Sequence, residues 1–166
     1  MRTLKINSDG KLKTEAPKMD IQAAVISGNL EIVRQHIEAG TDINKKDPMS
    51  GSTPLIIAAT FGKTAIAKAL IDANADTDIK NNEGSTALHS AAFFCRVEIV
   101  QMLIDAGADK TLKNNHWATP RESVTVPFAE MKPVYETIQQ QLAPFGLKLD
   151  LKILEMTRPV IAMMLQ

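Results

Sequence analysis

Three histidines, one cysteine and two recurring aspartates are the side chains of this 166-residue sequence with the right types for acid–base, nucleophilic or metal chemistry. His36, His89 and His116 each stand alone, with no second ligand at a spacing that would let two side chains share a metal ion. Cys95 would need a histidine brought to it across the fold, in a deep pocket, before its thiol could serve as an activated nucleophile. Asp72 and Asp105 hold matching places in two similar segments, so their recurrence follows from the segments and not from a shared reaction. No glycine-rich phosphate loop is present. The sequence therefore predicts no enzyme, no metal and no cofactor.

The elements that must position these residues are bounded first by composition. Lys plus Arg and Asp plus Glu balance at 19 each, giving zero formal net charge. Without a basic excess or a polybasic block, neither a nucleic-acid backbone nor a membrane surface is expected as partner. No stretch approaches the ~18 uninterrupted apolar residues of a membrane-spanning helix. The polar start, Met1 to Lys5, lacks the apolar centre of a signal peptide. A lone cysteine excludes an internal disulfide. A cytoplasmic location is the expectation, or a periplasmic or secreted one if a signal has been removed. Hydrophobic residues make up 45% of the chain but aromatics only 4%, so the core must be filled by Ala, Leu, Ile and Val, which suits close-packed helices.

Self-similarity organises the chain. Gly51-Ser52-Thr53-Pro54-Leu55 returns as Gly84-Ser85-Thr86-Ala87-Leu88, a period of about 33 residues. Ala58-Ala59 matches Ala91-Ala92, Leu70-Ile71-Asp72-Ala73 matches Leu103-Ile104-Asp105-Ala106, and Lys80-Asn81-Asn82 matches Lys113-Asn114-Asn115. Upstream, Gly28 and Gly40 stand about one unit before Gly62 and Asn74; downstream, Thr119-Pro120 follows one period after Thr86-Ala87 before the match decays. Four units result, 20–50, 51–83, 84–116 and a degenerate 117–143, between an N-terminal arm at 1–19 and C-terminal capping helices at 144–166.

Thr53-Pro54-Leu55, Thr86-Ala87-Leu88-His89 and Ala106-Gly107-Ala108-Asp109 together resemble the ankyrin repeat family, over about 120 residues. The tail is similar to those of stand-alone bacterial ankyrin proteins, a less specific likeness. The resemblance implies an all-α solenoid of helix–turn–helix units, with β-hairpin-like loops projecting from one side and a helical cap.

The local physics agrees. Thr53 and Thr86 are expected to cap inner helices, with Pro54 at a first helical position where its missing N–H costs nothing. Paired alanines keep the inner helices thin. Ile66, Leu70 and Ile71 recur at helical spacing, as an outer helix requires. Glycines are expected at helix stops in the left-handed region, with Asn74 as a tolerable substitute; Cys95 is a departure that either keeps the left-handed geometry at a cost of roughly 1 kcal/mol or more, or reshapes the turn locally. His89 is expected to tie adjacent loops together.

At the ends the rules are weaker. Ser8-Asp9-Gly10 between Leu4-Lys5-Ile6 and Lys11-Leu12-Lys13 predicts an extended arm or a loose hairpin. In the last unit Arg121 replaces the leucine of the pattern, and Val124 to Pro127 ends the inner helix early. A helix is expected from Pro133 to Leu142, with Val134, Ile138 and Leu142 on its apolar face, then short helices at 149–156 and 159–165. These segments either cap the stack or, through Met156, Met163 and Met164, dock on something else.

The resemblance implies binding to an unidentified protein partner, by a monomer, through loop tips and the concave face of the inner helices. Transferred onto matching positions, it implicates Met49, Thr60, Phe61, Lys80, Asn82, Phe93, Phe94, Lys113, Asn115, His116 and Trp117. Lys46 and Glu83 would complete a polar rim around aromatic anchors. Phe61 and Phe94 can equally pack between repeats, and Trp117 can equally cover the cap. A self-associating structural solenoid is the alternative to a separate partner.

Overall fold

A computed structural model of the protein describes residues 5–6, 10 and 12–166, of which 5–6 and 12–13 by backbone alone. Three helix pairs come first: α1 (Ile21–Ile26) with α2 (Leu30–Glu38), α3 (Pro54–Phe61) with α4 (Thr64–Asp72), and α5 (Ala87–Phe93) with α6 (Val97–Asp105). A short α7 (Glu122–Thr125), a longer α8 (Phe128–Leu142) and α9 (Leu151–Met164) complete the helices, with one 3₁₀ turn at Ala143–Phe145. In the arm, β1 (Lys5–Ile6) and β2 (Leu12–Lys13) pair antiparallel, with Lys5 opposite Lys13 and Ile6 opposite Leu12. Of the expected turn, only Gly10 is among the described residues.

The inner row α1, α3, α5, α7 stacks side by side because its facing residues are small. Ala24, Ala58, Ala59, Ala91 and Ala92 are all 0% exposed. The outer row contributes Val33, Ile66, Leu70, Ile99 and Leu103 to the same continuous core. Helix starts are capped as expected: the Thr53 hydroxyl accepts from the Ile56 N–H at 3.2 Å, and Thr86 forms a reciprocal box with His89. At the inner-to-outer turns, Gly62 has φ +67° and Cys95 keeps the same left-handed conformation at φ +54°. Close approach also shapes this turn. A Cβ on Gly62 would lie 2.9 Å from the guanidinium carbon of Arg96, which reaches back from the next unit to donate a 2.9 Å bond to Thr60 O.

The last unit departs from its expected form. The outer-row neighbour of α6 and the packing partner of α7 is α9, so the fourth helix pair is α7 with α9 and α8 is an insertion between them. Thr119 and Glu122 exchange capping bonds at the start of α7, and Arg121 donates to Ala162 O on α9 at 3.2 Å. Residues 149–165 do not form two short helices but one, with Pro159 inside it, and α8 begins at Phe128 with Pro133 inside it. An interior proline costs about 3 kcal/mol when a buried carbonyl loses its donor. Here Ala129 and Glu155, four residues before each proline, are exposed residues. The face of α8 that packs also differs from expectation: Val134 is 41% exposed, and the buried residue is its neighbour Tyr135.

Candidate partner-binding surface

The three loops leading into α3, α5 and α7 are tied to one another along the stack. The Asn82 side chain donates to Met49 O at 3.0 Å and its backbone N–H to Ser50 O at 3.0 Å. One repeat on, Asn115 donates to Asn82 O at 3.0 Å from its side chain and to Glu83 O at 2.9 Å from its backbone. In the second and third loops an asparagine closes the turn: Asn81 Oδ1 accepts from Glu83 and Ser85, and Asn114 Oδ1 accepts from His116 and Ala118; in the first, Asp47 Oδ2 accepts from Ser50. Lys80 Nζ bridges to Lys113 O at 2.8 Å. His89 closes the set from below. Its Nε2 donates to Ala118 O at 2.9 Å, while Nδ1 accepts from the Thr86 N–H at 3.2 Å. That pattern requires the neutral ring, and burial lowers the His89 pKa in agreement. The tips therefore form one preorganised ridge.

The candidate residues fall into three groups on this geometry. Met49 and Trp117 are 88% and 80% exposed, and Lys80, Lys113 and His116 are exposed beside them. Asn82 and Asn115 are exposed as well, but their amides are committed to neighbouring loops, so their first duty is to hold the ridge in shape. Thr60 and Phe61 are half-buried at the end of α3; Thr60 donates back to Ile56 O, and Phe61 packs on the core.

The expected aromatic cluster does not form as one open face. Phe94 is only 7% exposed, its ring edge-on to Phe93 at 5.0 Å and capped by the Arg96 guanidinium at 5.9 Å. It is a packing residue and not a surface anchor. Phe93 is half-buried, with its ring 4.5 Å from that of Tyr135 and its carbonyl accepting the Tyr135 hydroxyl. Inserted helix α8 thus covers the end of α5, and Phe93 faces the chain's own tail.

Trp117 is the residue whose full meaning was missed in the sequence. It falls one period after Gly84 and two after Gly51, and Trp117, Gly51 and Gly84 have φ values of +61°, +69° and +72°. Glycine is needed at the first two places for a second reason, because the asparagine of the following loop lies against the site of any Cβ. Residue 117 is in the last loop of the ladder and is released from that contact. The left-handed backbone is retained, however, at roughly 1–2 kcal/mol for a residue with a Cβ. A large aromatic side chain in a strained backbone, almost wholly in solvent, gains little from the fold around it. Strain of this kind gathers where function is.

The titratable side chains near α8 are quiet. Burial pushes the Cys95 thiol up to about 11 and the Tyr135 phenol up to about 12. Cys95 Sγ points to Leu154 O at 3.8 Å, a weak bond that leaves no nucleophile–base pair with a histidine. Among the described residues no group of three or more His, Cys, Asp or Glu side chains is placed to hold a metal ion.

Comparison with known proteins agrees with this architecture. A family model for ankyrin repeats, in three copies, matches residues 21–114. Protein phosphatase 1 regulatory subunit 27 of Homo sapiens is 44% identical over 63 residues, covering 38% of this chain and 40% of that protein, and the Mus musculus protein gives the same values. A putative ankyrin repeat protein of fowlpox virus (strain NVSL) is 37% identical over 62 residues, 37% of this chain and 14% of its own. Among solved structures, the ankyrin repeat domain of Bcl-3, a member of the IkappaB protein family, superposes with a TM-score of 0.60 at 34% identity, covering 62% of this chain and 45% of that one. The chain thus spans less than half the length of each of these matches. The matched repeats stop before the fourth unit, where the α8 insertion begins.

Proposed function

The chain belongs to the ankyrin repeat family, and from that premise we propose that it acts as a non-catalytic adaptor, inhibitor or sequestering subunit that grips a partner protein with its ridge of loop tips. Ankyrin repeats are protein–protein interaction modules. Two relatives are by name regulatory subunits of a phosphatase, which favours a regulatory reading here. The observation that carries the assignment to the loop tips is Trp117, 80% exposed at φ +61° in a place where the other loops have glycine. Tryptophan is the residue most enriched among interface anchors, and a rim of Lys80, Lys113, His116 and Met49 lies on the same preorganised ladder. The end of α5 contributes less than the sequence implied, because Phe93 and Phe94 are engaged internally.

The test is affinity capture with the whole chain, followed by titration of the captured partner against Trp117→Gly. This substitution restores the residue that the left-handed backbone favours, so the fold is retained while the anchor is removed. A loss of about 30-fold or more in affinity is expected for an anchor of this kind. Undiminished binding would move the partner to another face.

A further inference from the structure

Helix α8 is held at its two feet and at one point between them. Before it, Val126 O accepts from Arg158 Nη2 at 2.5 Å. After it, Leu147 is buried, just beyond Gly146, which is left-handed at φ +91° and has open space where a Cβ would stand. Between these feet, Tyr135 is the one buried residue among the fifteen of α8. The others on its stripe, Phe128, Met131, Ile138 and Leu142, are half-buried. The stack does not need this helix. α7 packs directly on α9, and α9 on α6, so the fourth pair closes without it. A segment with fixed ends and few buried contacts is of the kind that opens well below global unfolding.

What α8 covers is built to hold a helix. The Tyr135 ring lies 4.5 Å from that of Phe93, at the end of an inner helix. Its hydroxyl donates to Phe93 O at 2.6 Å and accepts from Arg158 Nη1 at 2.8 Å. Arg158 is 3% exposed, and no carboxylate pairs with it among the described residues. A buried cation in that position demands an oxygen acceptor from whatever lies over it. α8 thus has the form of a bound ligand: an amphipathic helix laid down by one aromatic anchor. We propose that α8 is a strap that releases from the end of α5 while the stack stays folded. The surface it uncovers, around Phe93 and Arg158, takes a partner helix built like α8, with an apolar stripe and one aromatic side chain that brings Arg158 an oxygen. The release stands on this geometry alone; the partner helix rests on the binding reading above.

Native-state hydrogen exchange of the whole chain in low urea tests the release. Once undocked, α8 unfolds, because isolated helices of roughly fifteen residues are marginal in water and this one contains Pro133. Its amides should exchange about 100-fold faster than those of α5, and with a much shallower urea dependence. A synthetic peptide of residues 127–146 is the probe for the uncovered surface, added to the Tyr135→Ala chain, whose own strap has lost its anchor. A strap closed about 100-fold, at an effective concentration on the order of 1 mM, gives the free peptide a Kd of about 10 µM. Wild type, with its strap shut, should bind the peptide at least about ten-fold more weakly. Tyr135→Phe, which keeps the ring, is the second variant should Tyr135→Ala not fold, and it too should bind the peptide more tightly than wild type. Trp117→Gly should leave the exchange of α8 unchanged, so this surface and the loop ridge stand or fall separately. Exchange of α8 at the rate and urea dependence of α5 would overturn the proposal. So would a peptide that binds variant and wild type equally, or that binds neither at about 1 mM.

Discussion

The hydroxyl of Tyr135 donates a 2.6 Å hydrogen bond to the carbonyl of Phe93, joining the inserted helix to the end of an inner helix of the third unit. The same oxygen accepts from Arg158 Nη1 at 2.8 Å, and Arg158 Nη2 reaches Val126 O at 2.5 Å. One buried phenol thereby links α5, α8 and α9, and Tyr135 is the only buried residue of α8. Position of the insertion depends on this node more than on any broad apolar face.

Tyr135→Phe keeps the ring but leaves Phe93 O without this donor and Arg158 Nη1 without this acceptor. A loss of about 1–3 kcal/mol in unfolding free energy is expected, read as a lower urea midpoint at unchanged slope. An unchanged midpoint would mean that water fills the gap and that the node does not hold α8.

Gly84→Ala and Gly40→Ala separate backbone strain from crowding. Both sites have φ +72°, so each substitution carries a penalty of about 1–2 kcal/mol. A Cβ at Gly40 meets open space, whereas one at Gly84 lies 2.5 Å from Asn115 Oδ1 and 2.9 Å from Asn115 N. Gly84→Ala should be the more destabilising in paired thermal melts, and equal costs would deny the loop ladder its close packing.

His89 should impose an acid limit on stability. Its folded pKa lies below the ordinary value of 6.5, first through burial, against which the bond to Ala118 works. In the acid range the unfolded chain binds a proton that the folded chain refuses, so stability is complete above about 6.5 and declines as pH falls below it. Melting temperatures from pH 7.5 to 5 should fall less steeply in His89→Gln than in wild type. Parallel profiles would contradict the neutral ring.

Cys95 should react slowly. With its pKa raised from 9.0 to about 11, the folded protein at pH 8 holds about 100-fold less thiolate than the unfolded chain. Labelling by a thiol reagent should be slower in the native protein than in the unfolded chain and should still rise with pH at pH 10. Equal rates in native and urea-unfolded protein would show the thiol to be open.

The sequence revealed most where the backbone's needs are local. A capping threonine, a left-handed glycine and a pair of small alanines each answer to residues within one turn, and their return every 33 residues or so makes the stack readable. The tail was misread because Pro133 and Pro159 look like helix starts. Both lie inside helices whose residues four places earlier, Ala129 and Glu155, are exposed, a property of the packed fold. The Tyr135 node was invisible for a related reason: its partners are a carbonyl 42 residues away and a guanidinium 23 residues away. The amides of Asn82 and Asn115 bond to main-chain atoms of the preceding loop, so their structural duty leaves no local trace. Trp117 did leave one, since it falls in register with Gly51 and Gly84.

The central claim is that Trp117 belongs to the partner and not to the fold, and Trp117→Gly tests it in one preparation. Relief of the left-handed strain should leave the chain as stable as wild type or more stable by about 1 kcal/mol, while affinity for the captured partner falls about 30-fold or more. A variant that loses stability and still binds at full strength would place Trp117 in the architecture and contradict the account.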